Sequence, residues 1–224
     1  IACDQDDMHI KYCQDNFKNY KNRIEIHKSN FSQIINNIPQ NNIKGILADI
    51  GVSSLQLDLN ERGFSLKSDT LDMRMDRENP LNAKIIVNIY PFERLLKVFK
   101  DYGEDPFSYQ IAKEIVKERE TKEIETTGEL VELIKRVKPA RELAKKGHPA
   151  KQIFQALRVE TNDELGNLRQ LLDTFDEVLK PGGRIAIITF QSLEDRLVKD
   201  KFRSLSVIEG NRDDLELRPN EIKK

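Results

Sequence analysis

Two acidic side chains stand where an α/β chain places its chemistry. Asp4 follows the apolar run Ile1-Ala2-Cys3, and Asp49 closes the run Gly45-Ile46-Leu47-Ala48. Ligands of parallel sheets bind in the crevice beyond the carboxyl ends of the strands, so both carboxylates fall at that edge. A carboxylate there accepts hydrogen bonds from sugar hydroxyls or from an amine. A third feature is cationic. Lys135, Arg136, Lys138, Arg141, Lys145, Lys146 and Lys151 cluster against one acid, Glu142, with His148 in the same stretch. Such a run is either a solvated helix face with its loop or a surface that contacts phosphates.

The elements that must position these residues follow from periodicity. After the acidic cluster Asp4 to Asp7, a helical stretch runs to about Tyr20, with Asp6 or Asp7 suited to cap it. Arg23 to His27 alternates apolar and polar residues as a half-buried strand does. Phe31 to Ile38 has helical spacing, and Pro39 to Asn42 breaks it before the run that ends in Asp49. Strands alternating with helices imply βαβ units and a mainly parallel sheet.

From Leu81 to about Lys146 strand patterns vanish and an all-helical block is expected, with segments at 92–100 and 109–120. Thr126 and Glu129 have the spacing of a capping box before Leu130, Leu133, Ile134 and Val137. Leu165 to Leu179 is amphipathic, Lys180 to Gly183 reads as a sharp turn, and Arg184 to Phe190 as a buried strand. The expected division is one α/β domain from residues 1–78 and 150–224, interrupted by a helical insertion at 79–149.

Composition bounds the rest. The chain has 224 residues, 38% hydrophobic and 33% charged, which is too apolar for wholesale disorder and too charged for a membrane bundle. Cys3 and Cys13 cannot make a disulfide scaffold, and no Cys/His cluster has zinc spacing, so no metal is expected; no run approaches the ~18 apolar residues of a spanning helix, so no membrane is expected either. A cytoplasmic, reducing compartment is the expected setting. Formal net charge is −1, which argues against indiscriminate polyanion binding.

The densest signal is a set of motifs in order. They are Asp49-Ile-Gly-Val-Ser-Ser-Leu-Gln56, Leu57-Asp-Leu-Asn-Glu-Arg-Gly-Phe64, Leu71-Asp-Met-Arg-Met-Asp76, His148-Pro-Ala-Lys151, Phe154-Gln-Ala-Leu-Arg158, Asn162-Asp-Glu-Leu165 and Thr189-Phe-Gln-Ser-Leu-Glu-Asp-Arg196. Over nearly the whole chain this resembles the bacterial 16S ribosomal RNA (cytosine-N4) methyltransferases. The resemblance implies a Rossmann-like class I methyltransferase fold, S-adenosylmethionine as cofactor, and 16S ribosomal RNA of the small subunit as partner. The family's first strand and glycine-rich loop are expected upstream of Ile1, and its basic tail beyond Lys224. Residues 1–224 alone are accordingly expected to bind S-adenosylmethionine poorly. Gln191 stands where the family usually has His.

Carried onto this sequence, the resemblance makes Asp4 the acceptor for the ribose hydroxyls and Phe31 a ring beside the adenine. Asp49 becomes a cofactor contact and, on its position, the candidate catalytic acceptor for the cytosine amine; the alternative is a turn acid bonding the amides of Gly51 to Ser53. Gln56 matches a further cofactor contact. Arg62, Arg74 and Asp76 either contact RNA or pair with one another. Lys146, His148 and Ser192 are substrate-side candidates, Phe154 is expected in the core, Asn162 and Glu164 as helix braces, and Glu194, Asp195 and Arg196 as a local ion network. Rival readings are a non-catalytic RNA-binding assembly factor, a nicotinamide oxidoreductase and a DNA cytosine methyltransferase.

Overall fold

The structure is a computed structural model that describes residues 1–20, 22–40 and 42–206. Strand β1 (Ala2–Asp4) runs parallel to β2 (Ile26–Lys28), with Asp4 opposite Lys28. Strand β3 (Ile43–Asp49) runs parallel to β4 (Leu179–Ile188), with Asp49 opposite Ile188. The parallel pairing expected from the alternation is present, but as two separate two-stranded sheets rather than one among the described residues.

Two boundaries differ from the sequence pattern for local reasons. The amides of Arg23 and Ile24 bond back to the Tyr20 carbonyl at 2.7 and 3.0 Å, so the alternating stretch pairs as a strand only from Ile26. The Lys180–Gly183 turn lies inside β4. Leu179 pairs with Ile43 and Arg184 with Gly45, leaving those turn residues opposite Lys44 alone.

Between the strands lie α1 (Asp7–Asn16), capped by Asp6, and the short α2 (Phe31–Ile34), which continues as a 3-10 turn over Ile35–Asn37. After β3 comes α3 (Ser54–Asp58). Helix α10 (Glu164–Val178) covers β3 and β4. Its Leu168, Leu171, Leu172, Phe175 and Val178 recur at three- and four-residue spacing and bury against Ile35, Ala48 and Ile50. Helix α11 (Ser192–Ser206) adds Val198 to that core.

The rest is helical, without a strand among the described residues from 50 to 178: α4 (Ala83–Ile89), α5 (Phe92–Gly103), α6 (Ser108–Arg119), α7 (Thr127–Val137), α8 (Ala140–Leu143) and α9 (Lys151–Asn162). Helices α4 to α7 and α9 share a core with Phe64, Leu71, Met73 and Met75 from the preceding loop. That core takes in Ala150, Ile153, Phe154, Ala156 and Leu157, so it reaches past the boundary at 149 drawn from sequence. None of the helices is long and apolar enough to cross a membrane, among the described residues.

The capping box of α7 forms as its spacing predicts. Thr126 Oγ1 accepts from the Glu129 amide at 3.1 Å, and Glu129 accepts from the Thr126 amide at 3.1 Å. Lys122 also donates to Glu129, and with the amides of Glu125 and Thr126 it pulls the carboxyl down to about 2. The folded-state value lies below the unfolded one, so this contribution is present above about pH 4.3 and is lost as pH falls towards 2. Replacing Glu129 with Gln is therefore expected to make stability fall less steeply between pH 5 and 2, measured by urea unfolding.

Candidate functional site

A cavity of about 450 Å³ opens at the carboxyl ends of β1 and β3. Its walls come from Asp4, Gln5, His9 and Tyr12, from Ser29 to Phe31, from Asp49 to Ser53 with Gln56, and from Asn162, Glu164, Asn167, Phe190 and Glu194. Pockets for small ligands fall in this size range.

Asp4 ends β1 with its side chain 42% exposed. One carboxylate oxygen accepts from the Asp6 amide at 2.8 Å and the other faces His9 Nδ1 at 3.0 Å. A carboxylate offers about four acceptor positions, so about two remain for a ligand with paired hydroxyls. The cap of α1 is Asp6, which leaves Asp4 free of that duty. Phe31 opens α2 behind its cap Asn30; its ring lines the cavity and also packs on the core over β3.

Asp49 lines the same cavity and is exposed. Its carboxylate accepts no hydrogen bond from Gly51 to Ser53 among the described residues, so the turn-acid alternative is not what the structure has. Gly51 beyond it adopts φ +110°, a backbone conformation that favours glycine, and a Cβ there would rest against the Phe190 ring at 3.4 Å. Phe190 is held from behind, because Glu194 accepts from its amide at 3.0 Å.

Gln56 reaches the cavity wall, but its amide is occupied. Nε2 donates to Asp6 Oδ2 at 2.7 Å, and Oε1 accepts from the Ser53 amide at 3.1 Å, completing the capping box of α3. Arg62 lies behind it at 2% exposure and pairs with Asp6 Oδ2 at 2.7 Å. It also donates to the carbonyls of Arg74 and Met75 at 2.9 and 3.0 Å. Burial pushes the Asp6 carboxyl up, but hydrogen bonds from Arg62 and Gln56 outweigh it and hold the group below the usual carboxylate range. Arg62 is thus a buried strut that offers RNA no surface.

The expected pairing among Arg62, Arg74 and Asp76 is also replaced. Arg74 clasps both oxygens of Asp72 at 2.7 and 3.0 Å and donates to the carbonyls of Arg77 and Asn79, while Asp76 accepts from the Glu78 amide. Ser192 donates to Glu104 at 3.4 Å, and Arg196 pairs with the same Glu104 at 3.3 Å. Asp195 pairs with Lys199 and Glu194 holds the backbone at 190–191, so the trio forms no network of its own.

Lys146 is exposed, and His148 is exposed with Nδ1 accepting from the Ala150 amide at 3.2 Å. Desolvation, then the cations Lys135 and Lys67, lower the His148 pKa. None of Arg62, Arg74, Lys146, His148 and Ser192 lines the cavity. The basic stretch itself is largely answered: Lys135 by Glu132, Arg136 by Glu118, Arg141 and Lys145 by Glu142. Lys138 is buried on Asp105 and the Pro149 carbonyl. Lys146 and Lys151 remain exposed and without an ion pair among the described residues.

His9 escaped the sequence reading, and Asn162 and Glu164, expected as helix braces, also line the cavity. His9 lies on the first turn of α1 and faces Asp4 and Ser53, the latter 44 residues later, so nothing local in the sequence signalled it. Asn162 accepts from the Met75 amide at 2.7 Å and donates to the carbonyls of Met73 and Arg158 at 2.8 and 2.9 Å. It pins Met73, whose φ of +62° is uncommon for a residue with a side chain. Glu164 is clasped by Arg158 at 2.7 and 2.9 Å. Burial raises its pKa against the opposing effect of that guanidinium.

Two proteins named ribosomal RNA small subunit methyltransferase H, from Streptococcus dysgalactiae subsp. equisimilis and Streptococcus pyogenes serotype M4, are each 52% identical over 212 residues. The matched part is 92% of this chain and 67% of each relative. A family model described as the MraW methylase family matches residues 1–224. The chain belongs to the MraW methylase family.

Proposed function

We propose that the protein methylates small-subunit ribosomal RNA at the exocyclic N4 of a cytidine, with S-adenosylmethionine as donor. The observation that carries this is the placement of two unequal carboxylates on one cavity. Asp4 is pinned and keeps acceptor positions open; Asp49 is exposed and free of backbone partners. An acceptor for paired hydroxyls, an aromatic ring at Phe31 and the cavity volume fit a nucleoside cofactor. When bound, that cofactor supplies a methyl group on a sulfonium.

Asp4 would hold the ribose hydroxyls of that cofactor as an acceptor, and Phe31 would offer its ring to the adenine. Asp49 accepts a hydrogen bond from the N4 amine, whose lone pair is otherwise delocalised into the ring, and favours its nucleophilic form. The methylated nitrogen is strongly acidic, so Asp49 or water takes its proton without a perturbed histidine. Orientation and fixed charge carry most of the rate. A cytosine in folded RNA must leave its stack to reach this cavity.

The helical region 79–149 serves as the RNA-recognition insertion, with Lys146 as its phosphate-binding cation beside His148 and with Lys151, at the start of α9, continuing that surface. Replacing Lys145, Lys146 and Lys151 with Ala is expected to weaken RNA binding and flatten its salt dependence by about 0.7 to 0.9 in log–log slope for every phosphate no longer neutralised. An unchanged slope removes this surface from recognition. The function itself is tested by mass spectrometry of small-subunit RNA from cells with and without the gene. Loss of one methylcytidine is expected. Its persistence favours a non-catalytic assembly factor.

A further inference from the structure

His9 has both ring nitrogens engaged on the cavity wall. Nδ1 lies 3.0 Å from Asp4 Oδ2, and Nε2 lies 2.9 Å from Ser53 Oγ. A carboxylate only accepts, so Nδ1 carries a proton and donates it to Asp4, while Nε2 shares a hydrogen bond with the Ser53 hydroxyl. The connectivity is that of an acid, a base and a nucleophile. Ser53 Oγ, however, accepts from the Gln56 amide at 3.2 Å as the cap of α3, so here the chain holds a carboxylate in place.

That hold has a use. The terminal torsion of an aspartate is broad, so its carboxylate plane is set by partners and not by rotamer preference. The Asp6 amide fixes one Asp4 oxygen, and His9 fixes the other. The two ends of the relay also belong to different strand pairs, since Asp4 ends β1 and Ser53 follows β3. His9 therefore joins walls that no strand pairing joins among the described residues.

We propose that His9 is a positioning residue for the nucleoside end of the cofactor, setting the Asp4 carboxylate plane and clamping it to the Ser53 wall. This rests on the reading of Asp4 as the ribose acceptor. Without His9, Asp4 keeps a single pin and its open acceptor positions rotate away from paired hydroxyls.

The test is calorimetric titration of the full-length protein with S-adenosylhomocysteine. His9→Ala is expected to weaken binding about tenfold, the loss of one hydrogen bond to a charged group. His9→Asn keeps a donor towards Asp4 and is expected to recover most of the affinity, whereas His9→Gln, which favours the Ser53 side, does not. In an Asp4→Ala background His9→Ala is expected to cost nothing further, because it acts through Asp4. Wild-type affinity in His9→Ala while Asp4→Ala binds weakly overturns the role of His9 alone. A full His9→Ala penalty in the Asp4→Ala background does the same. Wild-type affinity in Asp4→Ala overturns the ribose reading and the proposal with it. If His9→Ala does not fold, equal affinity of the Asn and Gln variants overturns the proposal.

Discussion

Replacing Asp49 with alanine is expected to slow methylation of small-subunit ribosomal RNA by about 10²- to 10³-fold, the range for removing one positioned acid–base or electrostatic group. The fold should survive. Asp49 is exposed at the end of β3, and its carboxylate caps no backbone amide from Gly51 to Ser53, so truncation leaves no buried group unpaired. The measurement is single-turnover methyl transfer at saturating cofactor, which separates weakened cofactor binding from loss of the chemical step. Asp49→Asn keeps the shape and an acceptor oxygen but loses the charge, and should fall between the two. Equal rates for wild type and Asp49→Ala would remove the residue from the mechanism while leaving the cofactor reading of Asp4 untouched.

The largest effect on stability is expected at Arg62. Its guanidinium and the Asp6 carboxylate it meets at 2.7 Å are each 2% exposed. Removing one partner strands the other charge in a site with little water, which costs about 3–5 kcal/mol. Arg62→Ala also frees the Arg74 and Met75 carbonyls and withdraws one support from Gln56 through Asp6. Urea unfolding should therefore show a large drop in midpoint. Removing Asp6 as well should recover part of the loss, because the stranded charge goes with it, although the α1 cap is then missing. A drop below about 1 kcal/mol in Arg62→Ala would mean that water reaches the pair.

These two residues show where sequence reading succeeds and where it stops. Asp4 and Asp49 were legible because strand ends have a fixed relation to the crevice, whatever the details of packing. The α7 capping box and the buried Phe154 were legible for the same kind of reason, since Thr126–Glu129 and 153–157 are local patterns. Arg62 was not. An arginine in a loop reads as surface, and its burial depends on Asp6, far earlier in the chain, and on two backbone carbonyls. Charge runs mislead likewise: Lys138 belongs to a basic cluster on paper, yet Asp105 and the Pro149 carbonyl draw it inside. Strand β2 begins late because Tyr20 captures the amides of Arg23 and Ile24, a competition that alternation does not record.

Asn162 has a broader consequence. It sits at the last residue of α9 and bonds Met73 and Met75 from the loop that Arg62 also supports. Met73 keeps its left-handed backbone only while such bonds outweigh the strain. The final turn of α9, this loop and one wall of the cavity are thus tied through one side chain, Asn162. A contact made on the outer face of the helical region is thereby connected, through Asn162, to the wall of the cavity.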